Sequence, residues 1–439
     1  MIISREKKEI VRVAYVGVGR RGLSMLKNVF SKFPDIEITW MVDFREERIK
    51  LGVDFLTVNG RPAPKTTTDY KEMLKDSSVD AVVIMTGWNS HVELSLASMR
   101  AGKYTAVEVG CAYDVSECYE LVRTYEETGS PLMMLENDCY NRYHLLALNM
   151  ARAGEYGELV HCTGAYAHYL CECDLFKIPK GESEIDTVHY RQFEYLNRAA
   201  EQYPTHEFGP IAKILRINRG NRITAITSTG SKACGISSYL KNHVSPDHPL
   251  YGKTFKQPDI VTTVITCAGG ETVRLTLDTT LPRPYYSDDW TIRGTRGCFI
   301  KEGNGNDLIS TIFVDGMKEP VINNYDEFAE KYDHPLYKEE WSVESENGGH
   351  IDIDWLVSRA FIEAVKAGTD TPIDAYDTAT WMAIGPLSEK SLAEGGVPVA
   401  FPDFTAGKWM RREPVILSKY CVDEVVCDDS IKVVPDAKG

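Results

Sequence analysis

A chain of 439 residues holds two or three average domains, and 43% hydrophobic with 26% charged residues is ordinary soluble composition with ample material for cores. A net charge of −15 excludes nucleic acid and an anionic membrane surface as the expected partners, and no apolar run reaches the roughly 20 residues that cross a bilayer. Eleven cysteines form an odd set with no disulfide spacing, and the close pair Cys171 and Cys173 lacks the second half of a zinc site, so reduced thiols and no metal are expected. Residues 1–9 are polar and lysine-rich, without an apolar signal core, which points to the cytoplasm.

The first apolar run, Val11, Val13, Ala14, Tyr15 and Val16, reads as a buried strand. Gly17, Gly19 and Gly22 follow at once, ahead of a helical pattern at Leu23, Leu26, Val29 and Phe30. In this order they make a dinucleotide-binding turn: Gly17 turns the chain sharply, Gly19 admits a pyrophosphate, and Gly22 lets helix and strand pack closely. A second strand at 36–42 ends on Asp43, placed about 20 residues beyond the glycines, where an acid meets the ribose hydroxyls. Asp43 accepts from both hydroxyls and repels a 2′-phosphate more closely than Arg45 attracts it, so NAD is expected over NADP.

Strands and helices keep alternating. A run at 81–85 leads into Trp88, Asn89, Ser90 and His91, a run at 104–108 ends on Glu108, and a run at 132–135 ends on Glu136 and Asn137. Asp114 is placed to cap the helix that follows it. Ligands of open α/β sheets bind beyond the carboxyl ends of the strands, so these residues converge on the crevice of the glycine turn. The fold class is therefore α/β, with an N-terminal Rossmann doubly wound parallel sheet over residues 1–155.

A helix at about 143–153 closes that half. Residues 159–168 alternate, a polar stretch follows, and a helical region at 190–218 is interrupted at 203–210 by two prolines and a glycine. Alternating segments at 261–266, 272–278, 291–293 and 298–300 predict a large open, mainly antiparallel sheet in a C-terminal α/β domain, 156–415. Late helices at about 354–367 and 375–393 pack back on the rest, and 416–439 form a polar tail. The open sheet offers a face for self-association, so a homo-oligomer is expected.

Several side chains stand out as chemistry-bearing. His206 follows Pro204 and Thr205 at a helix start, where a histidine either caps the turn or presents its ring at a fixed angle. Tyr166 and His168 project from one face of an alternating strand, as packing residues or as the floor of a pocket. Tyr285 and Tyr286 follow a stiff Pro-Arg-Pro connection that presents an aromatic to a ligand or turns a corner. Glu136 either meets substrate beside the cofactor or starts a helix as an acid. No two carboxylates are spaced as an acid/base glycosidase pair.

Together these residues resemble the Gfo/Idh/MocA oxidoreductase family, and within it most closely glycoside hydrolase family 109, the NAD-dependent α-N-acetylgalactosaminidase-like enzymes. The resemblance runs along nearly the whole chain. It is carried by Gly17 to Gly22, Thr86 to His91, Glu108 with Val109, Glu136 with Asn137, Gly164 to His168, Tyr203 to His206 and the segment 279–285, then Gly348 to His350 and Asp374 to Asp377. Dehydrogenases of the wider family carry Glu-Lys-Pro where this chain has Glu108, Val109 and Gly110, and a valine cannot shuttle a proton. Family 109 carries Glu-Val-Pro there, so Val109 fits it and Gly110 departs.

The resemblance implies that Gly17, Gly19, Arg21, Gly22, Asp43, Trp88, Asn89, Ser90, His91, Glu108, Val109 and Asn137 bind NAD. It implies a small glycoside lined by Tyr166, Arg191, Tyr203, Pro204, Thr205, His206 and Tyr285, with Tyr166, His206 and Glu136 as catalytic groups. The implied chemistry oxidises sugar carbon 3, removes the carbon 2 proton, expels the anomeric group, adds water and re-reduces. Tyr166 as base needs its phenol pKa lowered by a nearby cation or the cofactor. The alternatives are a net NAD-linked sugar or inositol dehydrogenase, and a sensor that binds NAD without turnover.

Overall fold

The computed structural model describes residues 6–176, 189–303, 308–319, 321–339, 350–416 and 418–425. Gly348, Gly349, most of the polar stretch after Cys171 and the tail beyond residue 425 lie outside the described residues.

Six strands, β1 (Val11–Val16), β2 (Ile36–Val42), β3 (Lys65–Thr67), β4 (Ala81–Ile84), β5 (Tyr104–Val107) and β6 (Leu132–Met134), form one sheet in the order β3-β2-β1-β4-β5-β6. Every pairing is parallel. Apart from β3, a largely exposed Lys-Thr-Thr edge strand, these are short apolar runs buried in the way central parallel strands must be. The order reverses between β1 and β4, which opens a crevice at their carboxyl ends.

Eight strands form the second sheet: β7 (Leu159–Ala167), β8 (Ile223–Gly230), β9 (Ile260–Cys267), β10 (Thr272–Asp278), β11 (Trp290–Gly294), β12 (Gly297–Glu302), β13 (Ile309–Val314) and β14 (Val399–Ala400). Their order is β13-β12-β11-β7-β10-β9-β8-β14, with the β7–β10 pair parallel and its neighbours antiparallel. The expected open, mainly antiparallel sheet is therefore present.

Of the two late helices, Ala375–Ala393 joins the two sheets, whereas His350–Ala367 lies on the first. The helix Ala375–Ala393 is capped by Asp374 and packs on the helix Val115–Thr128, on β6 and on β8. The helix His350–Ala367 lies on β1 and on the turn Asn137–Tyr140. Its Asp354 accepts two 2.7 Å hydrogen bonds from the Arg21 guanidinium, and Trp355 packs edge-on against Phe33. Among the described residues no helix is long and apolar enough to cross a membrane.

The break in the helical region lies earlier than expected, at 198–204, between the helices Tyr190–Asn197 and Thr205–Ile214, and the second helix runs through Pro210, where proline withholds the donor that would reach the His206 carbonyl. Tertiary packing sustains this helix: a Cβ at Gly209 would stand 2.9 Å from Glu136 Cγ, so only glycine lets the helix close onto the end of β6.

Candidate active site

The crevice at β1 and β4 is shaped for a dinucleotide. Gly17 has φ +95°, and a Cβ there would stand 2.7 Å from the Met85 carbonyl; one at Gly22 would stand 2.2 Å from the Gly17 oxygen. A Cβ at Gly19 would meet nothing nearer than Arg48 at 3.7 Å. Gly19 also leaves the helix Arg20–Asn28 without a side-chain cap, so its first amides face an open, anion-ready space. Asp43 is held at the lip, accepting from Val18 N at 2.7 Å and from Arg45 N at 3.0 Å. Beside it Phe44 is 75% exposed under the guanidinium groups of Arg45 and Arg48, a flat surface at the adenosine end.

The other crevice residues are tied to one another. Glu108 accepts from Arg21 Nε at 2.7 Å and from Val109 N at 2.8 Å, and Asn137 donates to Asp354 at 2.6 Å. Ser90 donates to Thr86 Oγ1, and His91 Nε2 meets the Thr86 carbonyl at 2.9 Å, which closes the turn after β4. Burial pushes the His91 pKa down, so its ring is neutral. Asn89 is exposed.

Beyond the crevice stands a cluster of rings. Trp88 stacks on Tyr203 with centroids 5.7 Å apart and meets Tyr190 edge-on. The Arg191 guanidinium covers Tyr203 at 4.5 Å and Trp88 at 5.2 Å. Tyr166, near the end of β7, lies 4.4 Å from Tyr203 and 5.7 Å from the His206 ring, centroid to centroid. Thr205 is buried with Oγ1 unpartnered.

His206 Nδ1 lies 2.6 Å from Glu136 Oε1, and Nε2 lies 3.2 Å from the Tyr203 hydroxyl. Burial disfavours the imidazolium, but the charge and hydrogen bond of Glu136, then Asp138, outweigh it and hold the pKa at about 9. Glu136 Oε1 also accepts from Asp138 N, and Oε2 is buried without a hydrogen-bond partner. Glu136, Asp138 and His206 offer ligand atoms within 4.8 Å of one another. The 2.6 Å bond already engages two of those atoms, so the trio reads as a His–Glu dyad with a second carboxylate beside it.

Tyr285 is 41% exposed and stands outside the ring cluster, and the partly buried Tyr286 packs on Tyr166 and His168. The Tyr166 phenol is not lowered: burial raises its pKa, and Arg191 opposes that only in part.

Residues 11–136 match the family model described as an oxidoreductase family with an NAD-binding Rossmann fold, and residues 140–411 match the glycosyl hydrolase 109 C-terminal domain. The chain is 37% identical over 426 residues to a glycosyl hydrolase family 109 protein of Stenotrophomonas maltophilia, covering 92% of this chain and 91% of that one. This chain belongs to glycosyl hydrolase family 109. It is 35% identical over 425 residues to an α-N-acetylgalactosaminidase of Tannerella forsythia, covering 92% and 88% of the two chains. A levoglucosan dehydrogenase solved with NADH and levoglucosan shares the fold, with a TM-score of 0.67 at 16% identity over 90% of this chain and all of that one. So does an inositol dehydrogenase homologue from Azotobacter vinelandii, with a TM-score of 0.62 at 15% identity over 91% and 99%. The cofactor is NAD, and the protein is an enzyme of the NAD-dependent glycosidase or sugar-oxidoreductase kind.

In this family 109 chain the departure at Gly110 has a steric reason. A Cβ there would stand 2.6 Å from Trp88 Cδ1, so the glycine makes room for the indole that stacks on Tyr203. Three residues escaped sequence reasoning. Tyr190 completes the rings around Arg191, a role its adjacency to Arg191 could have suggested. Glu201 and Glu207 are fully buried; the Glu207 carboxyl oxygens have no hydrogen-bond partner, and the Glu201 carboxyl has only the Tyr203 backbone amide facing it. Burial pushes Glu201 up to about 8 and Glu207 further still, the latter helped by the charge of Glu201. Glu207 stands directly before the apolar run Phe208 to Ile211, an available hint of burial.

Proposed function

We propose that the chain is an NAD-dependent glycosidase of the α-N-acetylgalactosaminidase-like kind, acting on a small glycoside through transient oxidation at carbon 3. The observation that carries this reading is two separate proton-transfer groups, Tyr166 and the His206–Glu136 dyad, in one ring cluster beside the crevice. Val109, in place of a lysine, disfavours simple alcohol oxidation there. The glycine turn, Asp43, Glu108 and Asn137 would hold NAD, which supplies temporary storage of the carbon 3 hydride.

Arg191, Tyr203, Pro204 and Thr205 line the sugar and, being buried, exclude water from it. His206, mostly protonated near neutrality because Glu136 holds its pKa at about 9, must first release its Nε2 proton; it then takes the carbon 3 hydroxyl proton there, and Glu136 at Nδ1 stabilises the imidazolium so formed. With a carbonyl at carbon 3 the neighbouring carbon 2 proton becomes acidic. Tyr166 removes it, and the electron pair of that C–H bond expels the anomeric substituent. Water then adds at carbon 1, and proton and hydride return to carbons 2 and 3.

Hydrolysis of nitrophenyl α-N-acetylgalactosaminide in heavy water is expected to place deuterium at carbon 2 with no net NADH. Product without deuterium refutes the scheme. A net sugar dehydrogenase is the second reading, suggested by the fold of the dehydrogenase neighbours. Steady accumulation of NADH from free sugar would favour it.

A further inference from the structure

Tyr166 stays protonated in its buried setting, so a base that removes a carbon-bound proton needs somewhere to send its own. The residues beyond it supply a path. The Tyr166 hydroxyl lies 3.3 Å from His168 Nδ1, and His168 Nε2 lies 3.3 Å from Cys173 Sγ. Cys173 is an exposed residue, and its thiol donates to the Tyr169 carbonyl at 3.3 Å.

These contacts allow one consistent set of protons. With the S–H on the Tyr169 carbonyl, the sulfur accepts from Nε2–H of His168. Nδ1 is then left with its lone pair toward the Tyr166 hydroxyl. Which nitrogen carries the proton is set by the bond the other makes.

The surroundings suit a histidine that gains charge. His168 follows β7, its amide bonded to the Asp278 carbonyl at 2.8 Å, and its ring packs edge-on against Tyr166 and Tyr286. Asp174, in the turn Cys171–Leu175, is an anion that feels His168 together with Arg191, His189 and Arg20.

We propose that His168 is the proton acceptor of Tyr166 and that Cys173 fixes its tautomer, so that Tyr166, His168 and Cys173 form a relay from the sugar site to the surface. This rests on the role of Tyr166 proposed above. As the carbon 2 proton passes to the Tyr166 oxygen, the phenolic proton passes to His168 Nδ1. The C–H and phenolic O–H bonds break, a new O–H and an N–H form, and the imidazolium lies near Asp174. His168 does not touch the sugar; it is a positioning residue acting through Tyr166.

The test uses the full chain with NAD. Nitrogen-15 NMR of the histidine rings is expected to show His168 as the Nε2–H tautomer near neutral pH, with Cys173→Ala shifting it toward Nδ1–H. Turnover of nitrophenyl α-N-acetylgalactosaminide should lose about 100-fold in kcat in His168→Phe and about tenfold in Cys173→Ala, with KM nearly unchanged. Cys173→Ser should recover most of the Cys173→Ala loss, because its oxygen also accepts from Nε2–H. An Nδ1–H tautomer in the wild type, or undiminished kcat and carbon 2 exchange in His168→Phe, overturns the relay. The tautomer is read without substrate, so it tests the relay apart from the reaction; a wild type with no carbon 2 exchange refutes the glycosidase scheme, and the proton-carrying role falls with it.

Discussion

Glu201 and Glu207 should make the protein lose stability as pH rises toward neutrality, and Glu201→Gln should remove much of that loss. The folded pKa of Glu201, about 8, stands above its ordinary value of 4.5 because burial penalises the carboxylate. The folded chain therefore keeps a proton that the unfolded chain releases. Stability is full below pH 4.5, falls as pH rises, and stops falling above about 8. At about 1.4 kcal/mol per pH unit, Glu201 costs on the order of 3 kcal/mol between pH 5 and 7.5. Glu207 is raised further and adds in the same direction. Glutamine has nearly the same shape and cannot ionise. Urea unfolding at a series of pH values should give the variant a visibly flatter decline, by about 3 kcal/mol over that range. The slopes are compared because the new amide shifts the whole curve. Parallel slopes for wild type and variant would refute the assignment of a neutral, buried Glu201.

Gly110→Ala should drive a methyl group into Trp88, unstack it from Tyr203, cost about 1–3 kcal/mol of stability and raise KM for the sugar; unchanged thermal midpoint and tryptophan fluorescence would count against it. Glu136→Gln should lower the His206 pKa from about 9 by roughly 1–3 pH units, seen by NMR titration of the ring, with the acid limb of turnover moving the same way. An unmoved His206 titration would mean that Glu136 is not what holds the proton.

The parallel sheet was legible because its signals are local: a strand, three glycines, a helix start and an acid at the next strand end all lie within the first 43 residues. His206, Tyr166 and Glu136 could be named, and the fold brings them together. What could not be read depends on long-range register. Ser287 pairs with Ala167 in an antiparallel bridge, which sets Tyr286 opposite His168 and turns Tyr285 outward. Nothing in a run of two tyrosines distinguishes them before that pairing exists. Arg21 was read as a cofactor contact alone, yet it joins Glu108 to Asp354 on a helix near the other end of the chain. The helix start after Pro204 was legible, but its run through Gly209 and Pro210 was not, because proline and glycine argue against a helix interior, whereas Gly209 lets the helix approach Glu136.

The two bases have the same difficulty and the same remedy. His206 is held protonated by Glu136, and Tyr166 is held protonated by burial, so neither is poised alone to accept a proton near neutrality. Lowering either pKa by opening the site to water would weaken every electrostatic contact within it. Each base instead stands in a hydrogen-bonded pair: His206 with Glu136 at 2.6 Å, and Tyr166 with His168 at 3.3 Å. At Tyr166 an arriving proton is matched by the phenolic proton passing to His168, and at His206, once Nε2 has lost its proton and accepts one from the substrate, the new charge is matched by the Glu136 carboxylate, so little isolated charge stands in the dry interior.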